Sequence, residues 1–590
     1  MKKLSILTLL LFIHIVAFSQ STNLTLEQYG AKSDGIVSSD GAIDSGSNII
    51  TSPGLAFSNN DIGKKIYIAG AAETGNTLIA SIVSVNSPHS AKLNINAKTS
   101  VINTGFTFGT DCTDAFIQFN KIARADKNVT LNLRPGTYLT SFNNWIAGIK
   151  NLTVNGNGCK IICTHGAIDP NGSPHANAGL YTPSCFDNVD NNYYTNKYIS
   201  NTSYGYKIQT VTKGTKNIKM TNGADIINFH SGDWVLIYGL HHEDFGGFPP
   251  DPRYFEYAKV QNTDNTGNII YLDRKLANNY DAEWPDGLNK GGVGAPRIID
   301  LDRDDFTVIE NLNLNHINFV PFNGWSGKLA HEIRNGRFEL YGFINAKISN
   351  LTAPAAYLGN GKNLFINETT FYKYCEPDKV LDSTVINNSS ISKMTNAGGL
   401  NTLRLINSTF TTTFNASPRK LYLNGNTFDC VGTTSESLIS VGFNKGTDSV
   451  IVGTNTWICS RDRRYLFAPP NSIIMTVGNV INNRTVTVPY SLFVQNKNSR
   501  QVVPGSLGYT ADGTRFEVTK VNRYDDDNIA VSGNFSSAPK IGDKFIFSLV
   551  PNIKVTGKQI KKGEFANQYN LFQSIDKTTK LTYDKNDYKN

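Results

Sequence analysis

From Phe306 to Trp457 the chain repeats one short phrase: an apolar strand, an Asn, one or two small polar residues, then an aromatic or aliphatic residue. It is spelled VIENLNL, KISNLTA, LFINETTF, VINNSSI, LRLINSTF, LYLNGNTF and VGTNTW. The anchors are Asn311, Asn350, Asn367, Asn388, Asn407, Asn424 and Asn455, separated by 39, 17, 21, 19, 17 and 31 residues. The middle values centre near nineteen and the first is about two such periods, which is the mark of a solenoid whose turns stack on one another. Each unit is short, rich in β-branched and aromatic residues and broken by Asn and Gly, so paired helices do not fit. The pattern predicts a coil of short strands. Equivalent residues then lie about 4.8 Å apart along the axis, and an Asn at the same corner of each coil can pass hydrogen bonds from amide to carbonyl. Several of these Asn also fit the N-x-[ST] sequon, but the ladder is the preferred reading. NTFDC and NTWIC fall in one register, which puts Cys430 and Cys459 on one side of neighbouring coils, as a disulfide or as stacked free thiols.

A solenoid needs its open apolar end capped. TDCTDAFIQFNKIARA, residues 110–125, predicts the cap: Asp111 or Thr113 can serve as N-cap, and Ala115, Phe116, Phe119, Ile122 and Ala123 share one helical face. NVTLNLRPGTYLT follows as an extended segment with a Pro-Gly turn. Upstream, LEQYGAKSDG (residues 26–35) is separated from this helix by alternating strands with Gly and Asn turns, so residues 36–109 are expected to form a small β-module inserted into a tight loop. A second insertion is expected at about 207–296, centred on HHEDFGGFPPDPRYFEY. The expectation is thus a coil over 21–484 carrying two inserts, with a β-rich C-terminal region over 485–590.

Composition changes this picture in four places. The chain has 590 residues, 39% hydrophobic and 18% charged, enough for a large core and more than one domain. Residues 1–20, MKKLSILTLLLFIHIVAFSQ, combine a basic start, a short apolar run and a small polar exit, which predicts a secretory signal peptide, a secreted or periplasmic destination and no membrane span in the mature protein. The formal charge is +8, and +6 without Lys2 and Lys3 of that leader. A mildly basic exported protein suits an anionic polysaccharide partner and does not call for nucleic acid. Seven Cys, an odd number, argue against a disulfide scaffold, and Cys159 and Cys163 lack the companions of a structural zinc site.

YGAKSDG joined to TDCTDAFIQFNKIA and VTLNLRPGTYL resembles the N-terminal signature of the pectate lyase superfamily, the right-handed parallel β-helix group that includes polygalacturonase-like, rhamnogalacturonase-like, epimerase-like and phage tailspike-like proteins. The resemblance implies an all-β fold, a right-handed parallel β-helix with an N-terminal capping helix and inserted β-modules. It also implies a glycan groove along one sheet. It is weak for reaction, because this scaffold carries unrelated chemistries.

Charge that interrupts the repeat marks two stretches. GKLAHEIRNGRFELYG brings His331, Glu332, Arg334, Arg337 and Glu339; FYKYCEPDKVLD brings Tyr372, Lys373, Tyr374, Glu376, Asp378 and Asp382. A polysaccharide lyase needs a cation on the uronate carboxylate, a base for the C5 proton and an acid for the leaving oxygen. Arg334 can fork onto a carboxylate, while Lys373, Tyr372, Tyr374 or His331 can exchange protons if positive neighbours or burial lower their pKa values. Calcium could assist at Glu376, Asp378 or Asp382, although no calcium-loop motif is present. An inverting hydrolase would instead use two of Glu332, Glu339, Glu376, Asp378 and Asp382, but the series of motifs typical of polygalacturonases is missing. Arg253, Tyr254, Tyr257 and Trp284 in the second insert are candidate sugar contacts, or else that module's own core. Elimination at an acidic sugar is favoured over hydrolysis, and a non-catalytic, tailspike-like glycan binder is the third reading.

Overall fold

The computed structural model describes residues 21–583 apart from 127, 142–144, 147–148, 165–204, 240–254, 283–294, 302–308, 325–334, 413, 430–436, 442–446, 460–464, 469–472, 490–505, 526–527, 548–551, 569 and 573–579. The leader, His331, Glu332, Arg334, Arg253, Tyr254, Trp284 and Cys430 therefore lie outside the described residues.

The main body is a 24-stranded sheet whose pairings are parallel and link each strand to one roughly a coil further on. Each coil contributes strands to three faces. The first face stacks Phe338–Tyr341, 356–359, 375–378, Met394–Gly398 and Phe414–Ser417. The second stacks Phe343–Ser349, 363–367, 383–387, Thr402–Ile406, Lys420–Asn424 and Ser449–Val452. The third is built from short pieces: 352–353, 370–371, Ser390–Ile391, Thr409–Phe410, Thr427–Phe428 and Asn455–Ile458. Alternate residues point inward. Leu403 and Leu405, Leu421 and Leu423, and Val450 and Val452 repeat that choice in successive coils, all buried. On the third face Phe410, Phe428 and Trp457 stack ring on ring at 5.2 and 4.7 Å. Burying each such side chain stabilises the coil by about 1.5–3 kcal/mol.

The corners explain the Asn repeat. His316, Asn350, Glu368, Asn388, Asn407 and Gly425 occupy the same corner, all with positive φ between 48° and 72°. Asn and Gly tolerate that left-handed backbone best. The neighbouring position carries the side-chain ladder, as where Asn387 Nδ2 donates to Asn367 Oδ1 at 2.7 Å. A second ladder runs through Asn363, Asn345, Asn311 and Asn151. Just beyond the corner, buried backbone N–H groups donate to side chains one coil on: Thr369 to Ser389, Ser389 to Ser408, Ser408 to Asn426 and Asn426 to Asn455.

The helix Thr113–Ala125 closes the N-terminal end, with Ala115, Phe116, Phe119 and Ala123 in the coil core. Ile122, expected on that face, is 36% exposed, and Asn120 is buried in its place, donating to the Trp145 carbonyl at 3.0 Å. Cys112 is the N-cap residue; the Asp111 carboxylate accepts from the Thr113 backbone and hydroxyl. Residues 36–109 form a closed six-stranded antiparallel barrel, seated on the coil by Tyr67, whose ring meets Phe322 edge-on at 5.5 Å. Strands between Tyr206 and Asp300 form a second, six-stranded antiparallel sheet. A third, seven-stranded sheet spans Ile473 to Phe547. The coil continues beyond 484: Asn552–Val555 and Lys580–Tyr583 pair back onto the second face and Gln559–Lys562 onto the third. The seven-stranded sheet is therefore looped out between two coils.

Cys459 is a free, buried thiol. Burial pushes it up to about 11. Among the described residues no helix is long and apolar enough to cross a membrane.

Candidate functional site

On the first face the inward positions are Phe338, Ala356 and Cys375, so 337 and 339 and their register partners project outward. Register stacks Glu339 on Tyr357 and Tyr357 on Glu376. Two residues earlier, Ala355 pairs with Tyr374. Because Ala355 is small, Arg337 passes over it, and its Nη1 donates to the Tyr374 hydroxyl at 2.9 Å. The same guanidinium grips the Glu339 carboxylate through Nε and Nη2 and stands 5.8 Å from the centre of the Tyr357 ring. Arg337, Glu339 and Tyr374 are buried, at 6%, 1% and 6% exposure. Tyr357 packs against the apolar cluster that joins the second module and the C-terminal sheet to Ile344 and Leu381 of the coil.

Two bulges shape the edges. Between Phe371 and Tyr374 the register slips, so Tyr372 and Lys373 face a single residue, Pro354. Bulges re-aim side chains; here Tyr372 is 45% exposed and Lys373 half-buried. Past Val380 a second slip throws out Leu381 and Asp382. Asp378 pairs with Lys379 at 3.2 Å, both buried, and Lys379 has a left-handed backbone with φ 56°.

Electrostatics separates the tyrosines from any role as ready bases. Burial pushes the Tyr374 hydroxyl above its usual range, and the Arg337 guanidinium works against that rise. Burial raises Tyr357 further, with Asp378, Glu376 and Glu339 adding to the effect and Arg337 opposing it. Both phenols are thus protonated at neutral pH. Tyr374 accepts a hydrogen bond from Arg337, which leaves its own proton to be given elsewhere.

Of the residues expected from sequence, the structure brings Tyr374, Glu376 and Asp378 onto one strand, with Lys373 and Tyr372 at its edge. It joins to them Arg337 and Glu339 from the other charged stretch, and adds Tyr357. Two expectations need correction. Tyr257 is 4% exposed inside the second module's core, because its strand Phe255–Asp264 is buried on both sides over its first half; it offers no sugar-stacking surface. Asp382 is not positioned as a calcium ligand: it is held by Arg274 at 3.3 Å and Lys362 at 3.8 Å in the seam between module and coil. Among the described residues no three His, Cys, Asp or Glu side chains converge as a metal site. Tyr357 had a recoverable signal: it lies 18 residues after Glu339 and 19 before Glu376.

No family model and no curated protein matches the chain. Among solved structures it is similar to the Gp54 tailspike of Acinetobacter baumannii bacteriophage AP22 in complex with A. baumannii capsular saccharide, at 10% identity over 75% of this chain and 93% of that one, with a TM-score of 0.24. It is also similar to the Pseudomonas phage phi297 tailspike gp61, at 8% identity over 74% and 91%, TM-score 0.24. The tailspike gp49 of Pseudomonas phage LKA1 matches at 10% identity over 74% and 92%, TM-score 0.25. At these scores the likeness assigns neither ligand nor activity.

Proposed function

We propose that the chain is an exported carbohydrate-active protein, a right-handed parallel β-helix, that cleaves an acidic polysaccharide by β-elimination on the first face. The observation that carries this reading is the hydrogen bond from Arg337 to Tyr374, which supports a neutral phenol oriented as a proton donor. Lys373 neutralises the uronate carboxylate from the bulge and so acidifies the C5 proton. Glu376 accepts that proton; its electron pair forms the C4–C5 double bond, the C4–O bond breaks, and the leaving oxygen takes the Tyr374 proton. The resemblance of the N-terminal signature to the pectate lyase superfamily supports the same class.

Hydrolysis fits less well. Glu339 and Glu376 share a register two strands apart, a Cα separation of about 9.6 Å, near the upper end of the roughly 6.5–9.5 Å separation between the carboxyl groups of inverting enzymes. Glu339, however, is 1% exposed and gripped by Arg337 as its counter-ion, which ill suits a general acid or base. The test is incubation with polygalacturonate, alginate and glycosaminoglycans, following the ultraviolet absorbance of the new unsaturated uronate. Elimination predicts that signal, and its loss in Tyr374→Phe and Glu376→Gln. New reducing ends without the absorbance would mean hydrolysis, and retention of the glycan with neither would mean binding alone.

A further inference from the structure

The second face carries a feature that the first-face chemistry leaves unused. Its outward register column runs Asn313, Lys347, Phe365, Val385, Arg404, Tyr422, Ile451, Lys554 across successive coils. The adjacent outward column adds Lys420 and Lys580. Lys347, Arg404, Lys420, Lys554 and Lys580 are all exposed, and no carboxylate occupies either of these columns from Lys347 onward. The acids that border the face are mostly committed: Glu310 to Lys259, Asp382 to Arg274 and Lys362, Asp448 to Arg419, with Glu368 at the corner. The result is a straight basic strip, with rungs about 4.8 Å apart.

We propose that this strip is a docking surface for a linear acidic polysaccharide lying along the coil axis, distinct from the cluster on the first face. Charge complementarity names a polyanion. The choice among polyanions comes from the rings and the flanks. Arg404 lies over the Tyr422 ring at 4.2 Å and Lys347 over Phe365 at 6.0 Å, so cations cover the ring surfaces on which nucleic-acid bases would stack. Asn345, Asn363, Ser383 and Thr402 line the adjacent column with neutral donors and acceptors suited to sugar hydroxyls. A pyranose unit is comparable in length to one rung, so successive coils meet successive sugars. The polysaccharide class rests on the function proposed above; the polyanion strip does not.

The experiment is affinity electrophoresis of the full chain through gels containing polygalacturonate, alginate, chondroitin sulfate, neutral dextran or single-stranded DNA. We expect retardation by at least one acidic glycan and none by dextran. The triple variant Arg404→Ala, Lys420→Ala, Lys554→Ala, altered only at exposed positions, should weaken that binding at least tenfold, while Arg404→Lys with Lys420→Arg keeps it. Binding should also fall steeply with added salt. Tyr374→Phe, which disables the proposed elimination, should retain full retardation, so failure of the catalytic reading is told apart from failure of the strip. Unchanged binding in the triple variant, absence of retardation by every acidic glycan, or equal retention by DNA would each overturn the proposal.

Discussion

Arg337 and Tyr374 sit two coils apart and yet are joined by a 2.9 Å hydrogen bond, because the residue between them in the stack is Ala355. Removing the guanidinium would leave the Glu339 carboxylate buried beside two tyrosines without its partner. Stranding one member of a buried ion pair costs about 3–5 kcal/mol. Arg337→Met should therefore lower stability by that order in chemical denaturation. Arg337→Met with Glu339→Gln should recover much of it, whereas a loss equal to the sum of the two single variants would mean that the pair is not coupled.

The buried hydroxyl ladder makes a sharper prediction than the Asn repeat. Ser408 accepts from the Ser389 backbone N–H at 3.1 Å and donates to the Ile406 carbonyl at 2.8 Å. Ser408→Ala keeps the volume of the methylene but orphans a buried N–H, at a cost of about 1–3 kcal/mol. Denaturant midpoints of Ser408→Ala and of the exposed control Thr454→Ala check this; comparable small effects in both would remove the ladder from the account of stability.

These corners also show what a sequence discloses. The repeat was readable because apolar strands and Asn recur, but the seven anchors belong to more than one structural role. Asn350, Asn388 and Asn407 adopt the left-handed backbone at one corner and Asn311 adopts it in the other ladder, whereas Asn367 and Asn424 lie one position before the corner and Asn455 accepts from the buried Asn426 backbone N–H. One residue type satisfies all these demands, so composition cannot separate them. In the site, Tyr374, Glu376 and Asp378 stood out because polar groups alternate with apolar ones along one strand. Tyr357 did not, and Arg337 stood out only as a charge in the repeat, since its reach to Tyr374 depends on register between coils and on the small size of Ala355. The return of the chain to the coil at Asn552 was hidden by the length of the sheet looped out before it.

Glu368 is the misfit among the corners, a charged residue with φ 50° in an exposed left-handed position where its neighbours use Asn and Gly. A side chain in that region costs about 1–2 kcal/mol, and glycine escapes the clash. Glu368→Gly should therefore stabilise the protein by about 1 kcal/mol after its own entropy cost, and Asn407→Val should destabilise it by about 1–2 kcal/mol. Thermal unfolding of the two variants gives the signs directly, and the same sign for both would refute the corner argument.

Alkaline pH should loosen the seat of the barrel on the coil. Burial pushes the Tyr67 hydroxyl up to about 12 from its ordinary value of 10.0, with the Asp111 carboxylate adding to the rise. A phenol whose folded pKa lies above its unfolded one favours the folded state while it stays protonated. That contribution is whole below about pH 10 and is lost as the pH rises through about 12. Its size is roughly 3 kcal/mol. Denaturation midpoints should accordingly fall across this window in the wild type and fall less in Tyr67→Phe, which keeps the ring against Phe322 and has no proton to lose. Phenolate absorbance supplies an independent readout: Tyr67 belongs to the class that ionises only near pH 12 or on unfolding, so the difference titration between wild type and Tyr67→Phe should show one late-ionising phenol. An early one, near pH 10, would mean that water reaches the junction between barrel and coil.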